Sequence, residues 1–329
     1  MPDFKDITGH ERIIKSLKES IKSNKVSHAY IFSGLKGSGK KLIADAFAKV
    51  LNCQNAQNEE SCGKCHSCIQ FESRNNPDVF YVKATKTKSI SVDDIREQVV
   101  EKVKTKPYSY NYKIFIIDKA DTLTVQAQNA LLKTLEEPPE YVVIMLLTQN
   151  IESFLPTVLS RCVVMKLRPI NADKIKEYIM SFKGLNETDA RFYSQYCGGS
   201  IGEALRLSED EEFYAMRQDV IDCLNKLDSL DTASVMLMAK DIEKYKLYPE
   251  LFDIMYMFYR DVLCYKILKD ENRIIEKDKT EDIKRQAKIL DEKVISRRLE
   301  AIINIKKQLK QNTPFQLSVE VLFINMKEN

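Results

Sequence analysis

Apolar positions along the chain follow two regimes. Up to about residue 166, short unbroken apolar runs alternate with stretches of helical spacing; beyond it only the helical spacing continues. Residues 10–23 carry that spacing and predict a first helix. Residues 28–33 read as a buried strand and 40–51 as a helix. A second strand is expected at 79–83, then a helix over 92–102 with Ser91 as its N-cap and Asp93 and Asp94 in its first turn. The third strand is 113–118 and the fourth 141–148, separated by a helix over 125–136 that Pro138-Pro139 stops. The runs 114–117 and 142–147 do not alternate, which suits a parallel sheet covered on both faces. The first half therefore predicts a three-layer α/β domain. Residues 171–207 read as a small helical unit and 209–329 as helical throughout, including the charged stretch 266–288. No internal repeat or low-complexity segment stands out.

Glycine is scarce, and six of the nine glycines fall in 34–39 and 198–202. Two loops with special backbone conformations are expected there. The first reads Gly34-Leu35-Lys36-Gly37-Ser38-Gly39-Lys40-Lys41, between a predicted strand and a predicted helix. That is a phosphate-binding loop in its required context, except at the end. The last position calls for a Ser or Thr hydroxyl to ligate Mg²⁺, and Lys41 stands there instead. An ammonium has no lone pair to offer. At ~4 Å and an effective dielectric of ~20, a unit-charge pair is worth roughly 4 kcal/mol, and a divalent ion doubles the repulsion.

Asp118 closes the third strand, where P-loop NTPases hold the Mg²⁺ shell. The following residue, a glutamate in hydrolytic relatives, is Lys119, which cannot act as a base while protonated. Both replacements strike hydrolysis, so no intrinsic ATPase activity on Mg²⁺-ATP is expected. Gly34, Gly37, Gly39, Lys40 and Asp118 remain as a degenerate nucleotide site. Backbone amides and the helix terminus suit phosphate, and whether ATP or ADP binds is left open by these residues.

Cys53, Cys62, Cys65 and Cys68 form C-x8-C-x2-C-x2-C in a polar, turn-rich stretch with little core of its own. Four thiolates suffice for a closed tetrahedral Zn²⁺ site, and the metal would fold such a loop. Unlinked thiols or an exposed redox pair are the other readings, and His66 is a ligand of lower rank. A thioredoxin-like pair needs a different setting. Structural zinc is the expectation. Cys162, Cys197, Cys223 and Cys264 read as ordinary buried residues.

Composition adds limits. At 329 residues, 44% hydrophobic and 30% charged, the chain reads as two or three soluble globular domains. A formal charge of +3 is too small to mark a basic nucleic-acid face. Histidine occurs only as His10, His28 and His66, so later regions hold no Ser-His or Cys-His centre. The longest apolar run, 142–147, falls far short of the ~20 residues that span a bilayer. No apolar core marks a signal peptide near the N-terminus. A cytoplasmic location without a membrane partner is expected.

Taken together, these residues resemble the delta prime subunits of bacterial DNA polymerase III clamp loaders, a family of the AAA+ superfamily, along essentially the whole chain. The resemblance rests on 34–41, the four cysteines, Asp118-Lys119-Ala120-Asp121, the run Asn129-Ala130-Leu131-Leu132-Lys133-Thr134-Leu135-Glu136-Glu137-Pro138-Pro139, and Leu159-Ser160-Arg161-Cys162. It implies an AAA+ P-loop domain at 1–165 with a zinc loop at 53–68, a helical lid at 166–208 and an oligomerising helical collar at 209–329. The aromatic-rich run 251–259 is then core, collar interface, or both on different faces. The resemblance further implies that Arg161, supported by Ser160, acts in trans on ATP held by the adjacent subunit. A guanidinium suits that task because it stays charged and donates in a planar fork. Thr148-Gln149-Asn150 falls where relatives keep a first phosphate sensor, and 198–205 resembles the second, with Gly202 in place of its arginine. Arg206 is offset by about one helical turn and is not promoted.

The implied function is that of a non-hydrolysing clamp-loader subunit within the DNA polymerase III holoenzyme. Its implied partners are the tau/gamma ATPase subunits and delta, with the sliding clamp and primer–template DNA met through the assembly. Two rival readings remain. An active tau/gamma-like motor is opposed by Lys41, Lys119 and Gly202. A zinc-containing nucleic-acid-binding protein with a vestigial NTPase fold is opposed by the weak net charge and the lack of a clustered basic–aromatic face.

Overall fold

The computed structural model describes residues 3–85, 88–309, 311 and 313–327. The chain forms two compact units: residues up to Ile179 with Cys197–Ala204, and Met180–Tyr196 with residues from Leu205 onward.

The first unit is built on five parallel strands, β1 (Ala29–Ser33), β2 (Val79–Val82), β3 (Lys113–Ile117), β4 (Val142–Thr148) and β5 (Val163–Lys166), in the order β2-β3-β4-β1-β5. The four strands expected from the pattern are present. β5 is the addition: four residues at the sheet edge, exposed at both ends and without the apolar run that marks the central strands. The helices are α1 (Glu11–Lys22), α2 (Lys40–Leu51), α3 (His66–Glu72), α4 (Val92–Ile95), α5 (Glu101–Val103), α6 (Val125–Glu136) and α7 (Pro156–Leu159). The helix expected over 92–102 is α4 and α5 joined by a π segment, Arg96–Val100. Its start is the expected one. Ser91 Oγ accepts from Asp94 N, and Asp94 accepts in return from Ser91 N at 2.9 Å.

Alternate residues of the central strands feed two separate cores. Ala29, Ile31, Phe115, Ile117, Val142, Ile144 and Leu146 pack with Ile95, Val99, Leu131 and Leu135. Tyr30, Phe32, Ile114, Ile116, Val143, Met145 and Leu147 pack with Leu17, Ile43, Phe47 and Val50. A strand buried on both faces has no polar side to alternate with, which explains the unbroken runs.

Three helices follow, α8 (Ala172–Lys183), α9 (Glu187–Tyr196) and α10 (Ile201–Ser208). The second unit continues with α11 (Glu211–Lys226), α12 (Thr232–Ile242), α13 (Leu251–Leu268), α14 (Thr280–Ile289), α15 (Glu292–Leu309) and α16 (Phe315–Lys327). The 251–259 run is core: Leu251, Phe252, Ile254, Met255, Phe258 and Tyr259 are buried, and Tyr256 faces outward. Among the described residues, no helix is long and apolar enough to cross a membrane.

Buried charge pins the loop between α13 and α14. The Arg217 guanidinium pairs with Glu276 at 3.1 Å and Asp278 at 2.7 Å, and lies 4.0 Å over the Phe192 ring. Asp261, itself buried, accepts from Ile275 N and Glu276 N. Burial pushes the Glu276 carboxyl up to about 7, with Arg217 pulling the other way and Asp261 and Asp278 adding to the rise. An acid raised in the folded chain binds more protons folded than unfolded between the two pKa values. Its stabilising share is therefore full below the unfolded value near 4.5 and is lost as pH rises through about 7. Glu276→Gln is expected to flatten the fall in stability between pH ~5.5 and ~8, a fall of roughly 2 kcal/mol over that window, and with it the fall in melting temperature. Thermal melts across that range check it, and parallel curves for the two chains would refute it.

Candidate functional site

The carboxyl ends of β1, β4 and β3 lie side by side and bring Ser33, Thr148 and Asp118 to one edge of the sheet. The loop after β1 leads into α2 through Gly37 (φ +71°) and Gly39 (φ +89°), both in the left-handed region. Gly34 N donates to Thr148 O at 3.1 Å and ties the loop to β4. Lys40 turns back into the loop, and its Nζ donates to Gly34 O at 2.8 Å and Leu35 O at 2.6 Å. Burial lowers the Lys40 pKa, opposed by the nearby Asp118 and Asp121 carboxylates. Gly34, Gly37, Gly39, Lys40 and Asp118 are thus gathered in one place.

The two replaced positions are occupied in ways the sequence does not announce. Lys41 Nζ lies 5.6 Å over the Tyr81 ring, whose hydroxyl donates to Asp45 at 3.0 Å. Asp45 is buried one turn along α2, and its carboxyl is raised by that burial while Tyr81 and Lys41 pull it down. Lys41 thus lies on the Tyr81 ring, beside a buried carboxylate of its own helix. Lys119 adopts φ +52°, and its N–H donates to Asp118 Oδ1 at 2.9 Å. Asn150 Oδ1 accepts from Glu152 N at 2.9 Å and caps the turn Ile151–Ser153.

The second glycine cluster closes over the first. Ser200 Oγ donates to Lys36 O at 2.7 Å, Gly202 N donates to Gly37 O at 3.0 Å, and Lys36 pairs with Glu203 at 3.7 Å. The contact is backbone on backbone. A Cβ on Gly37 would meet Ser200 Oγ at 2.6 Å, and one on Gly202 would meet Gly37 O at 2.7 Å. No arginine fits at position 202 unless one backbone withdraws. From the other side, His10 Nε2 reaches Ser38 O at 2.9 Å. What these residues lack is a hydroxyl ligand for Mg²⁺ at the end of the loop. Position 41 offers no oxygen, Lys40 is engaged by loop carbonyls, and Gly202 lies against Gly37.

Arg161 follows the one-turn helix α7, which Pro156 opens and Ser160 caps. Its Nη1 donates to Thr157 O at 2.8 Å and to Ser160 Oγ at 3.2 Å. Its Nη2 lies 2.9 Å from Glu136 Oε1, at the last residue of α6. The Arg161 side chain is 34% exposed. Burial pushes the neighbouring Cys162 thiol up to about 12, which leaves it unreactive at neutral pH.

The sulfur atoms of Cys53, Cys62, Cys65 and Cys68 all lie within 4.8 Å of one another. Cys53 Sγ is 3.9 Å from Cys65 Sγ and 3.7 Å from Cys68 Sγ. A tetrahedral zinc with ~2.3 Å bonds places its sulfurs about 3.8 Å apart, so the set fits that ion. Cys62 N and Cys65 N donate to Cys53 Sγ and Cys62 Sγ, each at 3.3 Å, as donors that favour thiolate. Backbone N–H groups of Lys64 and Cys65 draw the Cys62 thiol down to about 6. His66 points to Tyr110 Oη at 3.1 Å and is exposed, outside the set. Of the remaining cysteines, Cys197 is buried as expected. Cys162, Cys223 and Cys264 are only partly buried, which corrects that expectation: Cys162 lies in a bend, and the other two on partly exposed faces of α11 and α13.

Three features escaped sequence reasoning: the Glu136 partner of Arg161, the His10 contact, and the meeting of the two glycine clusters. The shared scarcity of glycine was the only available signal for the third.

A phosphate-type loop between β1 and α2, in a parallel sheet ordered β2-β3-β4-β1-β5, defines an AAA+ domain. A family model described as DNA polymerase III, delta subunit, matches residues 9–171, and one described as its C-terminal part matches 211–326. The chain is 30% identical over 322 residues to DNA polymerase III subunit delta' of Bacillus subtilis, covering 96% of each. It is 31% identical over 330 residues to subunit tau of the same organism, covering 92% of this chain but only 56% of that protein. A solved gamma-subunit-related protein of DNA polymerase III from Thermotoga maritima aligns over 95% of this chain and 98% of its own, at 19% identity and a TM-score of 0.46. The chain belongs to the delta' family of DNA polymerase III subunits.

Proposed function

We propose that this chain is the non-hydrolysing delta' subunit of a DNA polymerase III clamp loader. It presents Arg161, with Ser160 in support, to ATP bound by a neighbouring tau/gamma-type subunit. The delta subunit completes the assembly, which loads the sliding clamp onto primer–template DNA in the cytoplasm. The reading divides the chain into an AAA+ domain at 1–165, a lid at 166–208 and a collar at 209–329, with structural zinc on Cys53, Cys62, Cys65 and Cys68. One observation carries it: a surface arginine held ready in a chain whose own phosphate loop is closed by residues 200–203. The similar identities to delta' and tau do not separate subunit from motor. Lys41, Lys119 and Gly202 favour the non-hydrolysing member.

The test is turnover. The purified chain with Mg²⁺-ATP is expected to release no phosphate above background, with Lys40→Ala unchanged from the parent. Added to tau/gamma and delta, it is expected to raise their ATP turnover in the presence of clamp and primed DNA. Turnover by the lone chain that Lys40→Ala abolishes would instead identify a motor.

A further inference from the structure

We propose that Glu136 is a positioning residue for Arg161, so that what this chain lends to a neighbouring nucleotide is a pair rather than a lone arginine. The inference rests on the trans role of Arg161 proposed above. Three of the five guanidinium N–H donors are engaged within the chain: two by Thr157 O and Ser160 Oγ, one by Glu136 Oε1. Thr157 and Ser160 belong to the same turn as Arg161 and move with it. Glu136 is the holding group supplied by another element, and it ends a long helix whose Ala127, Leu131 and Leu135 are buried in the sheet core. The carboxylate therefore fixes the guanidinium relative to the body of the domain and leaves two N–H donors for a phosphate.

The pair is too exposed to be explained by stability. The Glu136 side chain is 50% exposed and that of Arg161 34%, and surface ion pairs of this kind contribute little to folding. Its consequence is geometric. A long arginine side chain freed from Glu136 samples several rotamers, and misplacing a catalytic group by about 1 Å costs up to ~10²-fold in rate. The loss falls on the chemical step, because binding of the triphosphate is the neighbour's work.

The experiment uses the reconstituted loader and measures kcat and KM for ATP with wild type, Glu136→Ala, Glu136→Gln, Arg161→Ala and the double alanine variant. Glu136→Ala is expected to lower kcat at the adjoining site about tenfold with KM nearly unchanged. Glu136→Gln keeps an acceptor oxygen and is expected to recover most of the rate. The double variant is expected to be no slower than Arg161→Ala, since the carboxylate acts only through the arginine. Equal melting temperatures confirm that folding is intact. A wild-type kcat for Glu136→Ala, beside an impaired Arg161→Ala, overturns this inference alone. An increased kcat overturns it by making the carboxylate a brake. An unaffected Arg161→Ala removes the trans role and this inference with it.

Discussion

Arg161→Ala is expected to slow hydrolysis at the adjoining ATP site by ~10³-fold or more, which is about 4 kcal/mol of barrier, while this chain's own fold is untouched. The size follows from what an arginine finger supplies. Charge builds on the transferring phosphoryl oxygens, and a guanidinium brought across an interface meets it in a site from which water is excluded. Its described neighbours do not replace it: Cys162 is a neutral thiol beside it, and Ser160 Oγ donates to Thr157 O. Arg161→Lys retains the charge but loses the fork that Thr157 and Glu136 orient, so it is expected to remain well below wild type. The measurement is single-turnover hydrolysis in an assembly where only the adjoining site keeps its P-loop lysine. Wild-type rates there would remove the trans role. A rate loss accompanied by failure to assemble would assign Arg161 to the interface instead.

What the sequence made legible follows from how strongly local pattern constrained each element. Runs 114–117 and 142–147 suit strands buried on both faces, and they are the centre of the sheet. Ser91 and Asp94 form the expected cap because the capping box is a local contract between residues three apart. β5 was not legible, since Val163–Lys166 sits at an edge where the environment demands little. Lys41 at the end of the phosphate loop and Lys119 after Asp118 both stand out in the sequence, but their surroundings differ. Lys41 lies over the Tyr81 ring, next to the buried Asp45, whereas Lys119 occupies a left-handed turn in which its backbone N–H donates to Asp118. The contact of Gly202 with Gly37 joins residues far apart in sequence, and no periodicity encodes it. For the same reason the Glu136–Arg161 pair is invisible to spacing. Arg161 itself stood out only through the Ser160-Arg161-Cys162 motif, because an arginine after Pro156 is by chemistry alone an ordinary surface cation.

Removal of metal from the four-cysteine loop is expected to destabilise far more than that loop. One zinc per chain should be found on purification, and stripping it with a strong chelator should lower the melting temperature of the first unit by more than about 10 °C, or roughly 4 kcal/mol at this size. The reason lies in what the loop holds. Cys65 and Cys68 set the start of α3, which ends at Glu72, and Glu72 lies 3.2 Å from Lys49 Nζ. Lys49 is 1% exposed, and its other carboxylate partner, Asp3 at 3.3 Å, accepts in turn from Ser61 of the same loop. Glu60 pairs with Lys18 of α1 at 2.5 Å. If the thiolates separate, a buried ammonium loses the anchoring of both partners, and breaking such a pair costs about 3–5 kcal/mol beyond the metal's own contribution. Cys68→Ser should reproduce the chelator effect, whereas Cys264→Ser, in α13 and far from the set in sequence, should not. Lys49→Met tests the route. It removes the buried charge that the loop must satisfy, so the melting temperature of the variant should respond less to chelation than that of the parent. A purified chain without metal that melts at the same temperature with and without chelator would show that the thiols cluster unaided.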